Sequence, residues 1–431
     1  MQQFFVSPSP KLAGTIRVPG DKSISHRAVM LGAVAKGTTH IFGFLRGEDT
    51  LATAQAFKTL GVRLEDGEPL VIHGQGDQPF AVQEAMLDLG NSGTAMRLLM
   101  GLLCGRGMKV ILDGDESLRK RPMERVAQPL RQMGAKIDTT GGMPPVIVHP
   151  VHTLQGIHYR SPVASAQIKS AILLAGLLAT GQTTVVEPFL SRDHTERMLA
   201  AFGASLQREG LAITIEGGAS LQGATITVPA DISSAAFFLV AGILAQDSEI
   251  ILPEVGTNPT RTGVLTILRA MGARIVEENP RFFGQEPIAD LRVYPSSLHG
   301  IEIPPEWVPI AIDEFPAIFI AASMAQGKTT LRGAKELRVK ESDRIATMAQ
   351  GLATLGIPVE TLEDGIIIEG RETFDGGVIH AHADHRVAMA FAMAATRAKD
   401  TIVIQDCDNV KTSFPNFVDL AQRVGFKLEV R

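Results

Sequence analysis

Two cysteines in 431 residues, no surplus of positive charge and no apolar run long enough to span a bilayer exclude several classes of protein. Cys104 and Cys407 are too few and too far apart for a disulfide framework, so a reducing cytosol is the expected compartment. The formal net charge of −5 argues against a general nucleic-acid binder, which would be basic. The apolar stretch from Gln167 to Leu178 is shorter than the roughly 20 residues of a membrane span, and Lys169 interrupts it, so no membrane association is expected. Residues Met1 to Phe5 lack the basic and apolar segments of a secretory leader, which again points to a cytoplasmic protein. No Gly-x-Gly-x-x-Gly follows a strand. Gly327-Lys328-Thr329 ends like a P-loop, but Ala322 stands where its first glycine belongs, and the segment runs from helix into strand. His380-Ala381-His382-Ala383-Asp384-His385 has the spacing of a dinuclear zinc site, but no histidine follows His385 to complete a second ligand set. Neither a metal nor a nucleotide cofactor is expected.

What the chain does contain is a repeat. Six hydrophobic-Gly-hydrophobic tripeptides close six helices: Leu60-Gly61-Val62, Met133-Gly134-Ala135, Phe202-Gly203-Ala204, Met271-Gly272-Ala273, Leu355-Gly356-Ile357 and Val424-Gly425-Phe426. Their glycines are 73, 69, 69, 84 and 69 residues apart, a regularity that signals six similar units. Val18-Pro19-Gly20-Asp21 recurs as Val228-Pro229-Ala230-Asp231, 210 residues on, and divides the six into two threes. Residues 20–229 are then expected to form an inserted lobe of repeats one to three, and residues 1–19 with 230–431 a second lobe of repeats four to six. Each is large enough for its own core. Within a unit the order reads strand, helix, strand, helix, strand, strand. In the first unit this gives a helix over 25–35, a strand over 38–44, a helix over 49–60, and strands over 62–64 and 70–73. Parallel strands joined through helices predict an α/β fold. Helices such as 167–178, apolar nearly all round, are expected inside a lobe.

Polar clusters open several of these helices: Asp21-Lys22-Ser23-Ile24-Ser25-His26-Arg27, Asn91-Ser92-Gly93-Thr94-Ala95-Met96-Arg97, Ser165-Ala166-Gln167-Ile168-Lys169 and Asp384-His385-Arg386. A helix N-terminus presents unpaired N–H groups and a partial positive charge, so it favours anions before any side chain is added. One such cluster is ordinarily a solvated cap; recurrence at equivalent places argues for a shared anionic ligand. Leu337-Arg338-Val339-Lys340-Glu341-Ser342-Asp343-Arg344 is the densest charge run, and Lys340 and Arg344, four apart, would share a helix face. Asp313-Glu314 breaks the apolar stretch 308–325, where a carboxylate is costly to bury unless it is paired or serves a site.

Taken together, these clusters closely resemble the 5-enolpyruvylshikimate-3-phosphate synthases of the enolpyruvyl transferase group. The match runs from Gly20–Arg27 through Leu89–Arg97, Leu118-Arg119-Lys120-Arg121-Pro122-Met123 and Arg338–Arg344 to Asp384-His385-Arg386 and Lys411-Thr412, essentially the whole chain. The resemblance implies a two-lobed α/β fold, each lobe three βαβαββ units around buried parallel helices. It also implies transfer of the enolpyruvyl group of phosphoenolpyruvate to shikimate 3-phosphate, without metal or organic cofactor, by a monomer. Carried over by position, Lys22, Ser23, Arg27, Ser165, Ala166, Gln167, Arg192, Asp313 and Lys340 would bind shikimate 3-phosphate. Lys22, Asn91, Gly93, Thr94, Arg121, Gln167, Arg344, Arg386 and Lys411 would bind phosphoenolpyruvate, whose acidic groups suit the guanidinium fork. Asp313 would take the proton of the attacking hydroxyl, Glu341 would exchange a proton with the methylene carbon, and Lys22, crowded by other cations, would act near the bridging oxygen. Eight cations (Lys22, Arg27, Arg121, Arg192, Lys340, Arg344, Arg386, Lys411) against the carboxylates Asp313, Glu336 and Glu341 would nearly neutralise two substrates that together carry about −5 to −6. Ser191-Arg192-Asp193-His194, Ala166 and Glu336 depart from one branch of the family and point to a second. Competing readings are the related UDP-N-acetylglucosamine transferase, which uses a loop cysteine where 113–124 has none, a non-catalytic phosphosugar-binding protein, and a zinc hydrolase.

Overall fold

A computed structural model describes residues 2–431. It separates into two compact units: residues 20–228 with 283–285, and the residues up to Pro19 with 229–282 and 286–431. The six closing tripeptides have one physical cause. Their glycines all take positive φ, from 80° at Gly356 to 114° at Gly425, the left-handed conformation that ends a helix and that residues with a Cβ rarely adopt. In each, the amide after the glycine donates back to a carbonyl five residues earlier, as Val62 N does to Phe57 O at 2.9 Å and Phe426 N to Ala421 O at 3.0 Å. The same pattern is made by Ala135, Ala204, Ala273 and Ile357. The apolar residue after each glycine is buried and fastens the turn to the core.

Six inner helices begin the chemistry: α1 Lys22–Val34, α2 Gly93–Leu103, α3 Ala166–Gly176, α4 Ile232–Leu244, α5 Phe315–Ala322 and α6 His385–Ala394. Every residue of α4, α5 and α6 is buried, as is all of α2 except Thr94 and all of α3 except Ala166 and Gln167. The outer helices, such as Glu124–Gln132 and Phe417–Val424, bury only one face. Close approach between inner helices requires small residues. A Cβ on Gly101 of α2 would stand 2.1 Å from the Ala171 carbonyl oxygen of α3, so Gly101→Ala would force the two helices apart.

Three sheets surround the inner helices of the second unit; the 20–228 unit has three four-stranded sheets and a short two-stranded one, Leu154–Gln155 with Ala179–Thr180. In the 20–228 unit the four-stranded sheets run, in spatial order, Thr225–Thr227, Lys36–Phe42, Leu70–Gln75, Arg63–Glu65; Glu84–Asp88, Lys109–Asp113, Met143–Val148, Ile137–Thr140; and His158–Arg160, Gln182–Val186, Ala212–Glu216, Leu206–Glu209. The first pair in each is parallel and the later pairs antiparallel. In the other unit the parallel pairs are Lys11–Thr15 with Asp247–Gly256 and Gly377–His380 with Ile402–Gln405. The repeats are not closed on themselves. The first takes its leading strand from Thr225–Thr227, and the sixth is completed by Phe4–Ser7, which inserts between Ile402–Gln405 and Lys427–Val430. Borrowing a strand pairs backbone groups that an isolated repeat would leave at an open edge. The observed elements lie within a few residues of the expected ones; α1 starts three residues early because Lys22 follows the cap Asp21 directly.

Candidate functional site

Five of the six inner helices start from a side-chain cap. Asp21 Oδ1 accepts from Ile24 N at 2.9 Å, Ser92 Oγ from Ala95 N at 3.1 Å, Ser165 Oγ from Ile168 N at 3.5 Å, Asp231 Oδ1 from Ser233 N at 2.8 Å and Asp384 Oδ1 from Arg386 N at 3.0 Å. The exception is α5, which Glu314 precedes without a side-chain cap bond. The apolar stretch 308–325 is therefore two helices, Val308–Ala311 and α5, with Asp313 in the break between them.

In the 20–228 unit, the first turns of α1, α2 and α3 carry Lys22, Arg27, Thr94, Arg97 and Gln167. Lys22 Nζ lies 3.0 Å from Asp49 Oδ2, so a carboxylate stands against the amine where only cations were expected. Arg27, buried, donates through Nε to Thr195 Oγ1 at 2.7 Å, through Nη2 to Ser170 Oγ at 2.9 Å and through Nη1 to the Ser23 carbonyl at 3.1 Å. Arg121 donates to the Asn91 carbonyl at 3.0 Å, to Asn91 Oδ1 at 2.5 Å and to Ser117 Oγ at 3.1 Å. Gln167 joins two helices, accepting from Arg97 Nη1 at 2.6 Å and donating to Thr94 Oγ1 at 3.0 Å. Gly93 lies against both guanidinium groups: a Cβ there would be 3.3 Å from Arg97 Nη1 and 3.4 Å from Arg121 Nη1. His26 ties this wall together, with Nδ1 2.8 Å from Thr53 Oγ1 and Nε2 3.3 Å from Ser92 Oγ. Burial, reinforced by the Lys22 and Arg27 charges and only partly opposed by Asp21, holds its pKa well below 6.5, so the ring is neutral. Ser165 and Ala166 stand half-buried at the start of α3, and Arg192 half-buried in the segment before the helix His194–Ala201.

In the other unit the centre is Arg344, the first residue of the helix Arg344–Thr354 and 1% exposed. Its Nε donates to Asp384 Oδ2 at 2.8 Å and its Nη2 to Glu341 Oε2 at 2.6 Å, while Nη1 is 3.6 Å from Asp313 Oδ1. Burial alone would lower the pKa of this guanidinium, but Asp384, Glu341 and Asp313 reverse the effect and raise it above its ordinary value. Lys340 Nζ lies 3.3 Å from the same Asp313 oxygen. Lys340 and Arg344 do not share a helix face, because the helix begins only at Arg344 and Lys340 ends the 3₁₀ turn Lys335–Val339; Asp313 brings them together instead. Arg386 donates to the Asp313 carbonyl at 2.9 Å. Glu336 is half-buried in the 3₁₀ turn. Lys411 is exposed on the turn Asp408–Thr412, which Asn409 fastens to the Ala383 carbonyl at 2.7 Å, beside the start of α6.

Four functional neighbours escaped sequence reasoning. Asp49, Arg97 and His26 support Lys22, Gln167 and Ser92 from the same unit, and Asp384 anchors Arg344. The motifs contained three of them, but gave no sign of which residue each would meet. The cysteines are free and buried, and burial pushes the Cys104 thiol up to about 12, which suits packing and not nucleophilic attack. Among the described residues no group of three or more His, Cys, Asp or Glu side chains is placed to hold a metal, and no helix is long and apolar enough to cross a membrane.

Comparison with known proteins agrees with this reading of the chain. The model of the family described as EPSP synthase (3-phosphoshikimate 1-carboxyvinyltransferase) matches residues 6–420. A 3-phosphoshikimate 1-carboxyvinyltransferase of Nitrosococcus oceani is 56% identical over 428 residues, covering 99% of this chain and 96% of the relative, and one of Alkalilimnicola ehrlichii is 56% identical over 429. A solved EPSP synthase from Acinetobacter baumannii superposes with a TM-score of 0.88 at 52% identity, covering all of both chains. With a family match over nearly its whole length and relatives at this identity, the chain belongs to the EPSP synthases.

Proposed function

We propose that this chain transfers the enolpyruvyl group of phosphoenolpyruvate to the 5-hydroxyl of shikimate 3-phosphate, releasing inorganic phosphate, in the cytoplasmic route to chorismate and the aromatic amino acids. The observation that carries the reading is the arrangement around Arg344: Asp313 and Glu341, the two candidate proton carriers, both lie against one buried guanidinium, at 3.6 and 2.6 Å. A protein that only bound a phosphosugar would need the cations, but not two carboxylates beside them. In the proposed reaction the 5-hydroxyl adds to C2 of phosphoenolpyruvate as Asp313 accepts its proton and Glu341 protonates the methylene carbon, giving a tetrahedral adduct. Elimination then breaks the C2–O bond to phosphate, Lys22 supplying positive charge or a proton at the bridging oxygen, while Glu341 takes a proton back from the methyl group.

Arg27, Arg192, Ser23, Ser165, Ala166, Gln167 and Lys340 would hold shikimate 3-phosphate. Arg121, Arg344, Arg386, Lys411, Asn91, Gly93 and Thr94 would hold phosphoenolpyruvate. The active species is proposed to be a monomer. The expected result of mixing purified chain with both substrates in the presence of chelator is phosphate release that requires shikimate 3-phosphate. Absence of release, or equal release with UDP-N-acetylglucosamine as acceptor, would overturn the proposal.

A further inference from the structure

One buried cluster has no part in the proposed chemistry. Lys169, on α3 and 1% exposed, places Nζ 2.8 Å from Glu187 Oε2, 2.8 Å from Glu196 Oε1 and 3.4 Å from the Ser191 carbonyl. Ser191 Oγ in turn donates to Glu187 Oε1 at 2.6 Å. Burial disfavours the ammonium, yet Glu196 and Glu187 outweigh that cost and raise its pKa, so the amine is charged. Two carboxylates on one ammonium leave surplus negative charge in an interior where apolar side chains of similar volume would be no less stable. What such a cluster supplies is a fixed geometry.

That geometry bears on one short segment. Ser191 immediately precedes Arg192, and Glu187 and Glu196 lie on either side of both. The residues next to Lys169 and Glu196 form a second cross-link: Ser170 Oγ is 2.6 Å from Thr195 Oγ1, and Arg27 donates to both hydroxyls. One pair of neighbours on α3, Lys169 and Ser170, thus fastens the segment 187–196 and orients Arg27 with it. We infer that Lys169 is a positioning residue for the sugar-phosphate side of the site, acting through Glu187, Glu196 and Ser191 to set Arg192 and, beside it, Arg27. The inference rests on the function proposed above.

The test is titration calorimetry with shikimate 3-phosphate, together with KM for each substrate. It uses wild-type chain and a variant combining Lys169→Met, Glu187→Gln and Glu196→Gln, which removes the cluster without stranding a buried charge. Wild type should bind, and the variant should lose about 10- to 100-fold in Kd and KM for shikimate 3-phosphate, while KM for phosphoenolpyruvate stays within about twofold. Glu187→Gln alone, which leaves Lys169 paired with Glu196, should raise the same KM by a smaller factor and serves if the triple variant does not fold. Lys169→Arg, which keeps a charge on the carboxylates, should retain most of the affinity. Unchanged shikimate 3-phosphate binding in folded variants, or an equal loss for both substrates, overturns the positioning role while leaving the proposed reaction intact. A wild-type chain that turns over neither substrate and binds no shikimate 3-phosphate overturns both.

Discussion

The two units are built from the same repeat yet hold their arginines by opposite means. In the 20–228 unit, hydroxyls, an amide and backbone carbonyls orient Arg27 and Arg121. Neutral acceptors aim a guanidinium without cancelling its charge. In the other unit, Arg344 is surrounded by Asp384, Glu341 and Asp313. Carboxylates aim it too, but they neutralise it, and any anion that approaches must compete with them. One unit thus sets hydroxyl, amide and carbonyl oxygens against its arginines, and the other sets carboxylates against a buried one. The surplus of positive charge counted from sequence is correspondingly smaller once Asp49, Asp384 and Glu314 are included, Glu314 lying 3.9 Å from Arg386.

The comparison can be broken first through turnover. Lys22→Met in one unit and Glu341→Gln in the other should each reduce steady-state phosphate release by about 10²- to 10⁴-fold with the circular dichroism spectrum unchanged. Near-normal rates in either would remove that residue's role. Stability separates the units next. Arg344→Met strands Asp384 and Glu341 and should cost about 3–5 kcal/mol in urea unfolding, whereas Arg121→Met strands the Asn91 and Ser117 oxygens and should cost about 1–3 kcal/mol. Equal costs would erase the distinction between neutral and ionic support.

Acid should act on the 20–228 unit through His26. The unfolded chain takes up a proton near pH 6.5 that the folded chain, with its lowered His26 pKa, refuses. The contribution is therefore fully present above about pH 6.5 and lost as pH falls, by up to about 1.4 kcal/mol per unit. His26→Gln should flatten that part of the pH–stability curve. The smallest effect is expected from Gly93→Ala. Its Cβ would press on Arg97 and Arg121 at 3.3 and 3.4 Å, so KM for phosphoenolpyruvate should rise by about two- to tenfold with little change for shikimate 3-phosphate.

Much of this was legible in the chain because it is local. The six closing glycines answer a backbone demand for positive φ, and Asp21, Ser92, Ser165, Asp231 and Asp384 cap the helices they precede. Fully apolar segments became inner helices because only burial on every side can accommodate them. What stayed hidden is set by helix-to-helix register. Lys22 meets Asp49 across 27 residues, Arg344 meets Asp384 across 40, and Lys169 meets Glu187 and Glu196 where the pattern offered only an interrupted apolar run. Strand borrowing by the first and sixth repeats was hidden for the same reason, since a period along the chain does not say which neighbour completes a sheet.

The central claim is that the chain joins its two substrates by addition and elimination, with Glu341 carrying the proton at the methylene carbon. Running the reaction in deuterated water tests it most directly, because protonation and deprotonation at the methylene carbon must exchange hydrogen there. The account predicts deuterium in the enolpyruvyl methylene of the product with wild-type chain and loss of that label with Glu341→Gln. Product formed at the normal rate without any deuterium would contradict it.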